Sequence, residues 1–387
     1  MKYALLDPLR GLAALWVFLF HLALSQSFQE RLPLAYAILK QGGHLGVAMF
    51  FVISGYCLTA SARTTIARGD SAAAFLYRRA RRIYPPFWYS MLAAVAIAFL
   101  MSFLSGLKSG VYALPSPQQD VANGFIHFGL LDWFKVATLV QVVSPLAHDV
   151  PPVLYTKFQQ INLVYWSLAI EFQFYIVVAM ALKWRPRFYT SLAAVTVISL
   201  PFSLIPWSYT VGIFPPYWMM FAIGIGVYWC FERGIDPERL FGRGAALVGV
   251  AAVVSGALLF LAILRSEGAV SQVPFAVLFG FVLLFAKGLD RSFRALLGSS
   301  SVIVRGPFVL MTALGAISYS LYLLHPRLWG LVAQIARQVI PRNSMAYDLV
   351  VVVVTLLLCY PFYRYCELPF RSYRPRTTPT VQHDLSS

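Results

Sequence analysis

An arginine and a histidine, Arg10 and His21, stand eleven residues apart in the first apolar stretch of this 387-residue chain. In a helix that separation leaves the two side chains roughly 20° apart around the axis and about 16 Å apart along it. They share a face, with Arg10 at a membrane surface and His21 near the middle of a hydrocarbon core about 30 Å thick. An imidazole can take a proton from a hydroxyl near neutral pH. A second titratable group, Glu171, lies in the apolar run Tyr165-Trp166-Ser167-Leu168-Ala169-Ile170-Glu171-Phe172-Gln173-Phe174-Tyr175. It falls roughly 13 Å from the outer end of its span, at about the depth of His21. A carboxylate there must be paired or protonated. Ser167, Glu171, Phe174 and Tyr175 share one face. His21 and Glu171 therefore read as a base and the group that orients it.

Two further clusters frame this pair. Arg78-Arg79-Ala80-Arg81-Arg82 precedes Ile83-Tyr84-Pro85-Pro86, where a helix is expected to start at Pro86. Arg79 and Arg82, at i and i+3, point the same way, and guanidinium forks suit phosphate. Ser318-Tyr319-Ser320-Leu321-Tyr322-Leu323-Leu324-His325-Pro326 sets hydroxyls along a helix expected to end near His325 on the outer side. Each feature has a plain structural alternative. Arg10 and the arginine cluster serve equally as interfacial anchors, His21 and Glu171 as interhelical partners, and the Ser/Tyr run as helix-packing glue. It is their convergence that suggests chemistry, with a phosphorylated donor held by arginines below a mid-membrane base.

The elements that must position these groups follow from composition. Apolar residues make up 59% of the chain and charged residues 12%, about half the charged share of a soluble domain. Mean hydropathy is +0.70. Disordered, coiled-coil and disulfide-rich secreted classes are excluded, and the expectation is an all-α polytopic transmembrane helix bundle. About ten apolar segments reach spanning length, at 8–26, 44–62, 85–105, 163–183, 188–206, 215–231, 245–264, 272–287, 308–329 and 347–363. With both termini cytoplasmic, the larger share of the 31 Lys and Arg residues falls on cytoplasmic loops, including the Arg78–Arg82 and Lys183–Arg187 clusters. The net charge of +16 then sets orientation, and no nucleic-acid partner is expected. The segment 121–147 carries His127, Asp132, Lys135 and His148. A full crossing there would reverse every later loop, so it reads as re-entrant or interfacial. No cleaved signal peptide, disulfide framework, metal-ligand spacing or fixed repeat is expected. Residues 1–375 read as one transmembrane domain and 376–387 as a disordered polar tail.

At these residues the chain resembles acyltransferase family 3, the multipass membrane O-acyltransferases. Leu6-Asp7-Pro8-Leu9-Arg10-Gly11-Leu12-Ala13-Ala14-Leu15 with His21 is similar to the family's first helix and its Arg-x10-His pair. His44-Leu45-Gly46-Val47-Ala48-Met49-Phe50-Phe51-Val52-Ile53-Ser54-Gly55-Tyr56 resembles its second-helix motif, and Arg79-x-x-Arg82-Ile83-x-Pro85 its Arg-x-x-Arg element. Trp166-Ser167-Leu168 with Glu171 and Gln173-Phe174-Tyr175, then Ser318 through His325, then Glu367-Leu368-Pro369-Phe370-Arg371, follow in the family's order. Two positions depart from it: Ala48 and Phe172 stand where relatives often carry acidic residues.

The resemblance implies transfer of an acyl group, most often acetyl, from cytoplasmic acyl-CoA to a hydroxyl of a cell-surface or exported glycan or a lipid-linked sugar. It implies a multipass protein of the bacterial inner (cytoplasmic) membrane, with acyl-CoA as co-substrate and no permanently bound cofactor or metal. His21 and Glu171 would be catalytic, and Arg10, Arg79 and Arg82 would bind the donor. Trp166, Ser167, Tyr175, Ser318, Tyr319, Tyr322 and His325 would line the acceptor side or serve as structural motif. The alternative from another class is a transporter or exporter of a small acylated or anionic metabolite, with His21 and Glu171 as a proton relay. The lack of an obvious inverted repeat weighs against it.

Overall fold

The computed structural model describes residues 3–117, 120–140, 157, 158, 160–205, 212–235, 249, 250, 256 and 272–371. Most of the expected seventh span and the polar tail lie outside them. Among the described residues every regular element is helical. Five helices are long and apolar enough to cross a membrane: α4 (Leu45–Ala67), α5 (Ala72–Ser109), α7 (Tyr165–Lys183), α12 (Val302–Ala336) and α13 (Met345–Phe362) with its continuation to Arg371. A sixth would be α10 (Gln272–Ala286) with α11 (Leu289–Leu297), if that pair, bent by 68°, is one span. The remaining helices are α1 (Leu6–His21), α2 (Gln26–Arg31), α3 (Pro33–Gly42), α6 (Leu130–Ala137), α8 (Phe188–Ser203), α9 (Pro215–Glu232) and α14 (Leu368–Arg371).

Three boundaries differ from the sequence reading. The first helix stops at His21 rather than running to residue 26. The chain turns extended at Leu22, and Ser25 caps α2 by accepting from the Phe28 N–H. The helix expected to start at Pro86 begins at Ala72 and carries the arginine cluster on its own surface. Pro85 and Pro86 sit inside it, removing the N–H groups that would bond the carbonyls of Arg81 and Arg82. The helix expected to end near His325 passes Pro326 and continues to Ala336.

Lipid offers helices no hydrophobic reason to associate, so close backbone approach and polar contacts must hold the bundle. At Gly11 a Cβ would meet the backbone of Leu314 and Gly315, and at Gly315 one would meet the Asp7 carbonyl. Helices α1 and α12 thus pack backbone to backbone. The same occurs between α4 and α9, where Gly55 faces the Phe221 carbonyl and Gly224 faces that of Val52. Polar ties finish the job at the helix ends. Asp290 accepts the Ala4 and Leu5 N–H groups at 2.7 and 3.1 Å, satisfying donors at the head of α1. Asp348 accepts the Ser25 N–H at 3.0 Å and its hydroxyl at 2.5 Å. Glu367, in the π-helical turn Tyr363–Glu367, accepts the Ser320 N–H and hydroxyl at 3.1 and 2.6 Å.

The described part of the 121–147 segment is a 3-10 helix, Val121–His127, followed by α6. Neither piece is long enough to cross a membrane alone. Phe125 packs on Phe99 of α5, while the carbonyls of Ala137 and Thr138 accept from Trp88 and Tyr84 of the same helix. From Phe99 to Tyr84 is about 22 Å along α5 at 1.5 Å per residue. The segment therefore lies lengthwise along α5.

Candidate active site

Backbone contact between α1 and α12 carries their histidines together. His21 Nδ1 lies 3.0 Å from His325 Nε2, with the rings stacked at 29° and 5.1 Å between centroids. His325 is fully buried, and its Nδ1 is 3.0 Å from the Leu321 carbonyl oxygen. A carbonyl oxygen can only accept, so Nδ1 of His325 carries the proton. Its Nε2 is then the acceptor, and Nδ1–H of His21 donates to it. This chain of bonds leaves the lone pair on Nε2 of His21, the tautomer of a general base. The partner of His21 is thus His325, where the sequence reading expected Glu171.

Lysine Lys40 of α3 holds the backbone on either side of His21. Its Nζ donates to the Phe20 and Leu22 carbonyls at 2.5 and 2.9 Å. These are C-terminal carbonyls of α1, which need a donor and favour a cation. Burial pushes the Lys40 pKa down.

Glu171 sits elsewhere in the same core. Its Oε1 accepts from Ser54 of α4 at 2.9 Å and from Tyr175 at 2.7 Å, one turn along α7. Beside it is a narrow cavity of about 70 Å³, lined among others by Arg10, Ser54, Arg82, Glu171, Tyr175 and Tyr322. Arg10, Arg82 and Glu171 therefore face one space, one cation from each of α1 and α5 and the carboxylate from α7. Arg79 stands to the side, 5.7 Å from the Phe75 ring, within electrostatic reach of Tyr175 and Glu171 but outside the lining.

The remaining predicted residues divide. Ser167 and Tyr322 share a 2.6 Å hydrogen bond across the cavity wall, and the Tyr322 ring lies 6.0 Å from that of His325. Ser318 and Tyr319 line the same cavity, Tyr319 donating to the Ile83 carbonyl at 3.1 Å. Trp166 does not line it. Its ring packs 5.4 Å from Tyr217 of α9. Ala48 is fully buried. Ser54 and Lys40 were not singled out from sequence. Val47, Phe50, Phe51 and Ser54 fall at i, i+3, i+4 and i+7 and all line the cavity, a stripe the sequence does display. Nothing local marks Lys40. Among the described residues no group of three or more His, Cys, Asp and Glu side chains is placed to hold a metal ion.

Comparison with known proteins gives the family. The model of the family described as Acyltransferase domain matches residues 3–364. The chain belongs to that family. Among curated members, it is 31% identical over 172 residues to Acyltransferase MdmB of Streptomyces mycarofaciens, covering 44% of this chain and 37% of MdmB. It is 25% identical to Peptidoglycan O-acetyltransferase OatA of Listeria monocytogenes over an alignment of 402 residues, covering 95% of this chain and 55% of OatA. The chain thus spans about a third to a half of the length of these relatives. No solved structure matches it significantly. The resemblance drawn from the six motifs is borne out by the family match, and with several membrane-length apolar helices the chain is a multipass membrane member of the acyltransferase-domain family.

Proposed function

We propose that this protein is a membrane O-acyltransferase that moves an acyl group, acetyl by preference, from cytoplasmic acyl-CoA to a hydroxyl of a cell-surface or exported glycan. The observation that carries the reading is the 3.0 Å contact between His21 Nδ1 and His325 Nε2; with the His21 proton on Nδ1, its Nε2 keeps the lone pair a base needs. In the proposed step Nε2 of His21 takes the acceptor's hydroxyl proton as its oxygen attacks the thioester carbonyl. The carbon–sulfur bond breaks, the leaving thiolate takes the proton from the imidazolium, and ester and CoA thiol are the products. A positioned imidazole supplies about 10²–10⁴-fold in such a transfer.

Arg10 and Arg82 bind the phosphates of the donor, and Arg79 adds positive potential behind them. Glu171, held by Ser54 and Tyr175, faces the same cavity as Arg10 and Arg82 and offsets their charge. With about ten spans in a bacterial inner membrane and both termini cytoplasmic, the Arg82 end of α5 lies on the cytoplasmic side, the side that holds acyl-CoA.

The deciding experiment gives purified protein acetyl-CoA with soluble glycan fragments and measures free CoA thiol and glycan ester together. Stoichiometric appearance of both, lost in His21→Ala protein of equal yield, is the expected result. Vesicle uptake of a small anion with no thiol released identifies a transporter and overturns the reading.

A further inference from the structure

A second and larger cavity lies at the other end of α5, apart from the one lined by Arg10 and Arg82. It holds about 500 Å³, a volume typical of small-molecule sites, which run about 300–1,000 Å³. From Arg82 to Ser102 is about 30 Å along α5, so the two cavities open toward opposite ends of that helix. Ala98, Met101, Ser102 and Ser105 fall at i, i+3, i+4 and i+7 and turn one mostly small face into the space. One end of its lining is Leu22 and Ala23, directly after His21, and Arg327, two residues after His325.

The opposite wall is cationic. Arg327 is already engaged, donating to the Ile161 carbonyl at 2.9 Å and to Asp120 and Asn123 at 3.2 Å. Arg337 and Arg342 are different. Both are exposed at the rim, and among the described residues neither side chain has a hydrogen bond or an ion pair. Gln334, one turn before Arg337's neighbour, also lines the space, and its buried Oε1 has no hydrogen-bond partner among the described residues. An unpaired buried acceptor is costly unless a ligand donates to it. From His325 to Arg337 is about 18 Å along α12.

We propose that this cavity binds the acceptor, and that the acceptor carries an anionic group, phosphate or carboxylate, held by Arg337 and Arg342. A hydroxyl of its sugar donates to Gln334, and the reacting hydroxyl extends toward His21. The inference rests on the transferase reading for the word acceptor, and on the cavity and its cations for the site itself.

The test measures binding rather than turnover, on full-length His21→Ala protein in nanodiscs of neutral phosphatidylcholine. The probes are radiolabelled geranylgeranyl phosphate against geranylgeraniol, and N-acetylmuramic acid against N-acetylglucosamine. Saturable binding of an anionic probe, absent for its neutral counterpart and weakened about tenfold or more in the Arg337→Gln/Arg342→Gln protein, is expected. Binding of the prenyl phosphate alone puts the charge on a lipid carrier, and binding of the muramic acid alone puts it on the sugar. Failure of both anionic probes, equal affinity in the double variant, or equal displacement by phosphatidylglycerol overturns the site. Anion binding by a protein that releases no CoA thiol leaves the site standing and removes the transferase reading, so the two failures are distinguishable.

Discussion

Replacing His325 tests the base assignment more sharply than replacing His21, because the two available substitutions should part company. The 3.0 Å bond to His325 Nε2 selects the His21 tautomer with its proton on Nδ1. In a His325→Phe protein that N–H faces a ring that cannot accept. Losing a net hydrogen bond costs about 1 kcal/mol, and leaving a buried donor unsatisfied costs about 1–3 kcal/mol. At 1.36 kcal/mol per tenfold, kcat should fall about 10- to 100-fold. Donor KM should hold, since Arg10 and Arg82 line the cavity beside Glu171 and His325 does not. A His325→Gln protein places an amide oxygen near the former Nε2 and should recover most of the loss. The assay is CoA thiol release against acetyl-CoA concentration at fixed acceptor, with protein matched for monodispersity. A Phe variant as fast as the parent, or a Gln variant as slow as the Phe one, refutes the tautomer argument.

Other outcomes follow from the same geometry. An Arg82→Lys protein keeps the charge but loses the fork, so its KM for acetyl-CoA should rise about tenfold with kcat little changed, and an unaltered KM removes Arg82 from the donor site. Lys40→Met strips the donor from the Phe20 and Leu22 carbonyls. It should lower kcat several-fold and leave donor KM alone, with Lys40→Arg recovering part of the rate. Gly315→Ala drives a Cβ into the Asp7 carbonyl, where neither backbone can yield, and should cost about 1–3 kcal/mol, seen as a lower thermal unfolding midpoint. Gly226→Ala, with open space around it, is the control expected to unfold with the parent.

The sequence displayed the chemistry-bearing residues better than their pairing. Arg10 was read onto the face of His21 from helical spacing alone, and the cavity beside Glu171 does hold Arg10, Arg82, Ser167, Tyr175, Ser318, Tyr319 and Tyr322 together. Matching depth suggested Glu171 as the companion of His21, yet depth fixes a height in the membrane and says nothing of which helices are neighbours. That neighbour relation is set by Gly11 and Gly315, whose missing side chains seat α1 on α12 and so deliver His325 instead. The helix limits misled for a local reason. Pro86 and Pro326 look like a start and a stop, but helices in a bundle tolerate the missing N–H when neighbouring groups make up for it. Lys40 was invisible because its partners are carbonyls, and carbonyls carry no sequence signature.

The glycine contact between α1 and α12 has a bearing on how firmly the histidine pair is held. Two backbones in contact cannot slide without losing that fit, and His21 and His325 each lie ten residues beyond it, about 15 Å along α1 and α12. A slip of one helix by a single residue, about 1.5 Å, would carry one imidazole out of hydrogen-bond register with the other.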